Sequence, residues 1–289
     1  MIPDPLDSSI VQGINKAAVD LESKLSGDVI FYTGAIHPVF FRTFRDFVEA
    51  VRQQGSSDSI FVVLRTGGGS AETTERMVAV LRKHYASVNF IVPDTAMSAG
   101  TILCMSGDKI YMDYSSSLGP IDPQVPSADP GATYVPALGY LDKVEELTKK
   151  TSLDAADVVL LKSIDLAKLA TFEQARDLSI DLLKKWLVQY KFKDWDTHRT
   201  TNPGTPVTPE EKTERARVIA TALSNHKVWR SHGRSLDLVK LSELRIEIDD
   251  YSDDSVLTGL IRAYNDPMTG YVDSRQIGFF LHHHSIPII

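Results

Sequence analysis

The run Ile60-Phe61-Val62-Val63-Leu64 in "SIFVVLRTGGGS" has no polar break. A strand with one wet face alternates apolar and polar residues, so an unbroken run fits a strand covered on both faces, as in a parallel sheet between helical layers. Its surroundings agree. "DVIFYTG" reads as a strand before it, and "FFRTFRDFVEAVRQQG" between them carries helical spacing at Phe40, Phe41, Phe44, Phe47, Val48 and Val51, with Gly55 as its stop. Helix "AETTERMVAVLRKHY", strand "SVNFIVPD", short helix "SAGTILCMSG" and strand "KIYMD" follow, so βαβ units recur three times. The expected fold is therefore a layered α/β domain on a largely parallel sheet.

A chain of 289 residues suits one such core with an appendage, and 43% hydrophobic residues can fill it. The 31 basic and 38 acidic residues leave −7, which argues against an electrostatic nucleic-acid binder. The single cysteine, Cys104, excludes an internal disulfide and a cysteine-built zinc site. Neither a leader pattern nor eighteen consecutive apolar residues is present, so a cytoplasmic protein without an integral membrane segment is expected.

Residues 1–24 read as an N-terminal helix with a stripe at Ile10, Val11, Ile14, Ala17, Ala18 and Leu21; residues 25–198 as the α/β domain with a helical extension; and residues 199–289 as a C-terminal accessory segment and tail. "VPSADPGAT" is a loop by composition. After it, "YVPALGYLDKVEELTKKTS", "DAADVVLLKSIDLAKLA" and "FEQARDLSIDLLKKWLVQYKF" are helical, and "RTTNPGTPVTPEE" from Arg199 has the look of a hinge.

Two strand-to-helix turns hold the chemistry. In "LRTGGGSAETTERM" three glycines precede a helix that Ser70 caps, leaving backbone N–H groups free to face an anionic atom. No Walker A or Rossmann pattern accompanies them. In "IVPDTAMSAGTIL" Ser98 stands where a strand meets a helix: it is either an N-cap or a nucleophile, with Ala99 N–H completing an oxyanion hole. Both turns end parallel strands, the edge where open α/β sheets collect ligands.

"TGGGSA", "MSAGTIL" and "SSSLGPIDPQ", in that order from about Asp28 to Gln124, resemble the ClpP/crotonase superfamily of serine peptidases. The resemblance is closest to the serine dehydrogenase proteinase branch, related to signal peptide peptidase A, and "SHGRSLDL" at Ser231–Leu238 is similar to a C-terminal signature of that branch. It implies a ClpP/crotonase-like spiral of repeated ββα/βαβ units with a helical C-terminal segment, a protein or peptide substrate, no cofactor, and homo-oligomers. It also implies Ser98 as nucleophile and Gly68, Gly69 and Ala99 as the oxyanion hole. Where ClpP has its histidine this chain has "GPIDPQ", with Asp122 nearest, so no His/Asp triad carries over. The signal peptide peptidases use a lysine farther on, and that window holds Lys143, Lys149 and Lys150. Lys143, among Leu141, Val144 and Leu147, is the expected base, provided it is desolvated.

Two alternatives share the fold. A crotonase-type acyl-CoA enzyme would need acid/base carboxylates from Asp94, Asp113 or Asp122, and a membrane-associated scaffold would lack a base. His232 reads either as a group orienting the site or as part of a turn ending at Gly233. Met97, Met105 and Met112 are an adaptable pocket or core filling. "IEIDDYSDDS" lacks the glycine and glutamate of a calcium loop. His282, His283 and His284, with no acidic neighbour in sequence, read as a solvated or interface tail, while "FFLHHHSIPII" as a whole is apolar enough to dock.

Overall fold

The computed structural model describes residues 5–55, 57–126, 134–163 and 165–286. In chain order the elements are α1 (Pro5–Leu25), β1 (Asp28–Gly34), α2 (Pro38–Gln54), β2 (Ser59–Arg65), α3 (Ala71–His84), β3 (Ser87–Ile91), β4 (Thr95–Ala96), α4 (Ala99–Met105), β5 (Lys109–Met112), β6 (Ser117–Leu118), β7 (Gln124–Pro126) and β8 (Tyr134–Pro136). Then come α5 (Ala137–Thr148), α6 (Ala155–Ser163), α7 (Leu166–Trp186), α8 (Pro209–Ser224), α9 (His226–Trp229), α10 (Leu238–Glu243), β9 (Asp249–Asp250), α11 (Ser255–Ser274) and β10 (Phe279–His282).

Six strands form the main sheet in the order β10-β1-β2-β3-β5-β9, parallel throughout except for β10. The unbroken apolar runs have the expected cause. Successive side chains of a strand point to opposite faces, and both faces here are covered. Ile30, Tyr32, Ile60, Val62 and Leu64 enter a core shared with Phe44, Val48 and Leu81 of α2 and α3, whereas Val29, Phe31, Phe61 and Val63 meet Ile14, Leu21, Ile261 and Tyr264 of α1 and α11. The architecture is the expected α/β class, with helices covering both faces of a central, largely parallel sheet.

The C-terminal segment is joined to this core at both sheet edges: β9 pairs with β5 and β10 with β1. The "RTTNPGTPV" turn closes on itself, with His198 N–H donating to Thr205 O at 2.9 Å and Gly204 N–H to His198 O at 2.9 Å. One helix boundary departs from the sequence expectation. The break falls before Leu166, because Asp165 caps α7 by accepting Ala167 N–H at 2.9 Å, so "LAKLA" opens that helix instead of ending the previous one. The histidine run also departs from a solvated tail: His282 and His283 are buried, and the acidic partner missing from the local sequence is Glu22 of α1.

A second, smaller layer positions the site. β4 pairs in parallel with β6, and single bridges join Thr66 to Ala96, Ile36 to Gly69, and Leu118 to Leu236. These bridges tie the ends of β1 and β2, the Ser98 turn, the segment before Asp122 and the segment after His232 into one framework.

Candidate active site

Ser70 and Ser98 occupy equivalent strand-to-helix junctions and behave oppositely. Ser70 has extended backbone (φ −81°, ψ 126°), and its Oγ accepts Thr73 N–H at 3.0 Å as an ordinary cap. Ser98 has φ 53° and ψ −116°, a region that L-residues rarely occupy, and its side chain makes no capping hydrogen bond. The turn is held by Met97 N–H donating to Thr66 O at 3.0 Å and Gly100 N–H donating to Met97 O at 2.8 Å. A strained, uncapped serine at a helix start is what a nucleophile elbow requires, because the hydroxyl is thrust outward. Ser98 faces a cleft of about 930 Å³.

The glycine turn forms the opposite wall, and its three glycines differ. Gly68 is buried at φ +102° against Ser98, and its N–H donates to Thr66 Oγ1 at 3.0 Å. Thr66 Oγ1 in turn donates to Gly34 O at 2.7 Å. The amide expected to help hold an oxyanion is thus occupied within the turn. Gly69, exposed at φ +149°, is held by Ile36 N–H donating to Gly68 O and Ser70 N–H donating to Ile36 O, both at 2.9 Å. Its own N–H has no partner among the described residues and borders the cleft. Ala99 lines the cleft too, as the first residue of α4, where N–H groups lack intrahelical acceptors.

His232 also lines this cleft. Its Nδ1 lies 3.0 Å from Asp122 Oδ1, and the Asp122 side chain is only 2% exposed. The other carboxylate oxygen, Oδ2, is buried with no hydrogen-bond partner among the described residues. The pair is fixed from both sides: Leu118 and Leu236 exchange backbone hydrogen bonds at 3.1 and 2.9 Å, and Ile121 N–H donates to Leu223 O at 3.0 Å. A second histidine, His37, borders the same space, but its Nδ1 accepts Val39 N–H at the start of α2 and it has no carboxylate partner.

The lysines of the sequence expectation lie elsewhere. Lys143 is exposed, and its ammonium donates to both Glu146 oxygens at 3.1 Å; Lys149 pairs with Glu145, and Lys150 with Asp157 at 2.7 Å. The desolvation that would make Lys143 a base is absent: of its apolar neighbours only Leu147 is fully buried, and the ammonium is exposed in its ion pair with Glu146. None of the three borders the cleft. The crotonase-type carboxylates divide similarly. Asp113 is committed to Arg262, Ser115 and Ser116, and neither it nor Asp94 lines the cleft, so Asp122 alone stands behind it. Met105 and Met112 are core filling. The Cys104 thiol is buried, which pushes its ionisation upward and removes it as a rival nucleophile.

His232 was the residue that sequence reasoning undervalued. Its signal was the "SHGRSLDL" motif, a histidine with no local structural task beyond a turn.

The chain is 28% identical over 223 residues to the uncharacterized protein MJ1495 of Methanocaldococcus jannaschii, covering 77% of this chain and 63% of that one. It is 32% identical over 172 residues to the uncharacterized protein MJ0137 of the same organism, covering 58% and 56%. The chain thus spans less than two thirds of the length of these curated relatives. Similar solved structures include two of the 1510-N membrane-bound stomatin-specific protease. One, in complex with a substrate peptide, has a TM-score of 0.33 at 22% identity over 42% of this chain and 58% of that one. The other has a TM-score of 0.34 at 16% identity over 66% and 77%. A family model matches residues 39–210, more than half of the chain, and by that match the chain belongs to the ClpP-like SDH-type serine proteinases.

Proposed function

We propose that the protein is a serine peptidase working through an acyl-enzyme on Ser98, with His232 as general base and Asp122 as the group that orients it. The observation that carries this reading is the pairing of buried Asp122 with half-buried His232, which opens onto the same cleft as an uncapped serine. With Nδ1–H donated to Asp122, Nε2 is left as the basic nitrogen, able to take the Ser98 proton on attack and return it to the leaving amine. The residues follow in the chain order Ser…Asp…His, as in α/β-hydrolases, so a base need not come from the window just after the serine. The amides of Gly69 and Ala99 supply the oxyanion hole, and Gly68 serves as the close-packed support behind Ser98. Each such donor is commonly worth about 3–4 kcal/mol in the transition state.

His232 lies beyond residues 39–210, so its role rests on geometry in this chain alone. The substrate class is peptide, as the family indicates. Homo-oligomerisation belongs to the same proposal and is supported by Val159 and Leu160, exposed on α6.

The test is labelling by a fluorophosphonate together with hydrolysis of a denatured protein. Ser98→Ala should abolish both, and His232→Ala and Asp122→Asn should each lower labelling by roughly 10³–10⁴-fold. Lys143→Ala should leave it within about twofold, since an exposed ion pair contributes little. Wild-type labelling in His232→Ala, or its loss in Lys143→Ala, would return the base to the lysine.

A further inference from the structure

We propose that Glu22, His283 and His284 form a binding site for a divalent transition metal of zinc type, one that staples the C-terminal tail to α1. The last turn of α1 carries Glu22, and the residues just after β10 carry the two histidines. Glu22 Oε1 lies 3.0 Å from His283 Nε2, and Oε2 lies 2.9 Å from His284 Nε2. One donor atom from each residue falls within 4.8 Å of the others, the only such three-residue grouping among the described residues.

The donor chemistry is selective. Two imidazoles and one carboxylate form a set that zinc accepts, with water completing four-coordination. Ligand–metal distances of about 2.0–2.2 Å at tetrahedral angles separate neighbouring donors by about 3.4 Å, so the two N···O pairs need to open by only about 0.4 Å. The imidazole centroids lie 4.5 Å apart with the rings tilted by 33°, side by side on a single carboxylate. Protonating both would set two like charges against one opposite charge, whereas one divalent cation satisfies all three donors.

The surroundings are those of a ligand set. His283 Nδ1 lies 2.7 Å from Ser285 Oγ and 3.2 Å from Ser285 N. As it stands Nδ1 accepts the Ser285 N–H; with metal on Nε2 the ring proton sits on Nδ1, so that backbone contact is given up and Ser285 Oγ becomes the acceptor that orients the ligating ring. Val29 N–H donates to Glu22 Oε1 at 3.0 Å and holds the carboxylate in place. The His283 side chain is 4% exposed and that of His284 30%, so the site has a buried wall and an open side for entry. His282 is excluded because both its nitrogens are engaged, with Tyr264 OH at 2.8 Å and Asn15 Oδ1 at 2.9 Å.

Binding here would fasten the edge strand β10 to the N-terminal helix, far along the chain from Ser98. The test uses the full chain after EDTA treatment and dialysis. Titration calorimetry with zinc chloride should give one equivalent bound, and His284→Asn and Glu22→Gln should each bind at least tenfold more weakly. Zinc should raise the unfolding temperature by several degrees in the wild type, reversibly with EDTA, and leave that of His284→Asn unchanged. Cobalt(II) in place of zinc should show the visible bands of a four-coordinate ion. Absence of a saturable single site, or equal affinity in both variants, would overturn the proposal. His284 is partly exposed, so its variant folds and keeps the comparison decisive.

Discussion

Adding one carbon at Gly68 tests how tightly the Ser98 turn is built. A Cβ there would stand 2.8 Å from Met97 O, 2.8 Å from Ser98 Cβ and 3.3 Å from Ala99 N. All three are backbone or Cβ atoms, so no flexible side chain can swing aside. The residue also sits at φ +102°, where a side chain costs about 1–2 kcal/mol; the overpacking adds about 1–3 kcal/mol. Gly68→Ala should therefore lose about 2–5 kcal/mol, which at about 2–4 °C per kcal/mol lowers the melting temperature by about 4–20 °C. Strain at that contact is relieved by moving residues 97–99, and a displacement approaching 1 Å at a reacting group costs about 10²-fold in rate. Gly67 provides the control. It is exposed, has ordinary φ, and nothing lies within 4 Å of its added Cβ, so Gly67→Ala should match the wild type. Thermal unfolding and the rate of fluorophosphonate labelling measure the two effects. Gly68→Ala melting within about 2 °C of wild type and labelling at an undiminished rate would refute the close packing of the glycine turn on Ser98.

Two further outcomes concern buried polar groups. Burial pushes His282 down to about 4, and the neutral ring suits its contacts, Nε2–H donating to Asn15 Oδ1 and Nδ1 accepting from Tyr264 OH. The unfolded chain takes up this proton near 6.5, so the contribution is complete above that pH and falls as pH drops toward 4, by at most about 1.4 kcal/mol per pH unit. His282→Gln should flatten that part of the profile in urea unfolding between pH 7 and 5, and an unchanged slope would contradict it. Tyr85 OH donates to Asp28 Oδ2 at 2.7 Å in a buried setting that raises the Asp28 pKa mainly by desolvation. Tyr85→Phe strips a buried carboxyl of its partner and should cost about 1–3 kcal/mol in the same assay; a change under about 0.3 kcal/mol would show that the hydrogen bond adds nothing.

The parts of the site built from backbone were readable in the sequence, because their requirements are local. A glycine run at a strand end and a serine flanked by small residues announce a turn whatever lies elsewhere in the chain. Even there the division of labour among the glycines was hidden, since it depends on the Thr66 hydroxyl capturing the Gly68 amide. Lys143 misled for a geometric reason. Leu141 and Val144 project about 200° and about 100° away from it around the helix, and the burial of Leu147, one turn on along the same face, does not extend to the lysine, whose ammonium is exposed in its pair with Glu146. The Glu22 partner of the histidine run was invisible because it is supplied by the opposite end of the chain.

His232 and Asp122 are 110 residues apart in sequence, and what joins them is a pair of backbone hydrogen bonds between Leu118 and Leu236. That bridge has a consequence for how the site is assembled. Ser98 and the glycine turn are organised by the strands they terminate, and their strained geometry is present once β1, β2 and β4 are in place. The imidazole arrives only when the segment after α9 pairs with β6. Ser98 and His232, the proposed nucleophile and base, are thus held by different parts of the chain, and disruption on the Leu236 side should withdraw His232 while leaving the Ser98 turn formed.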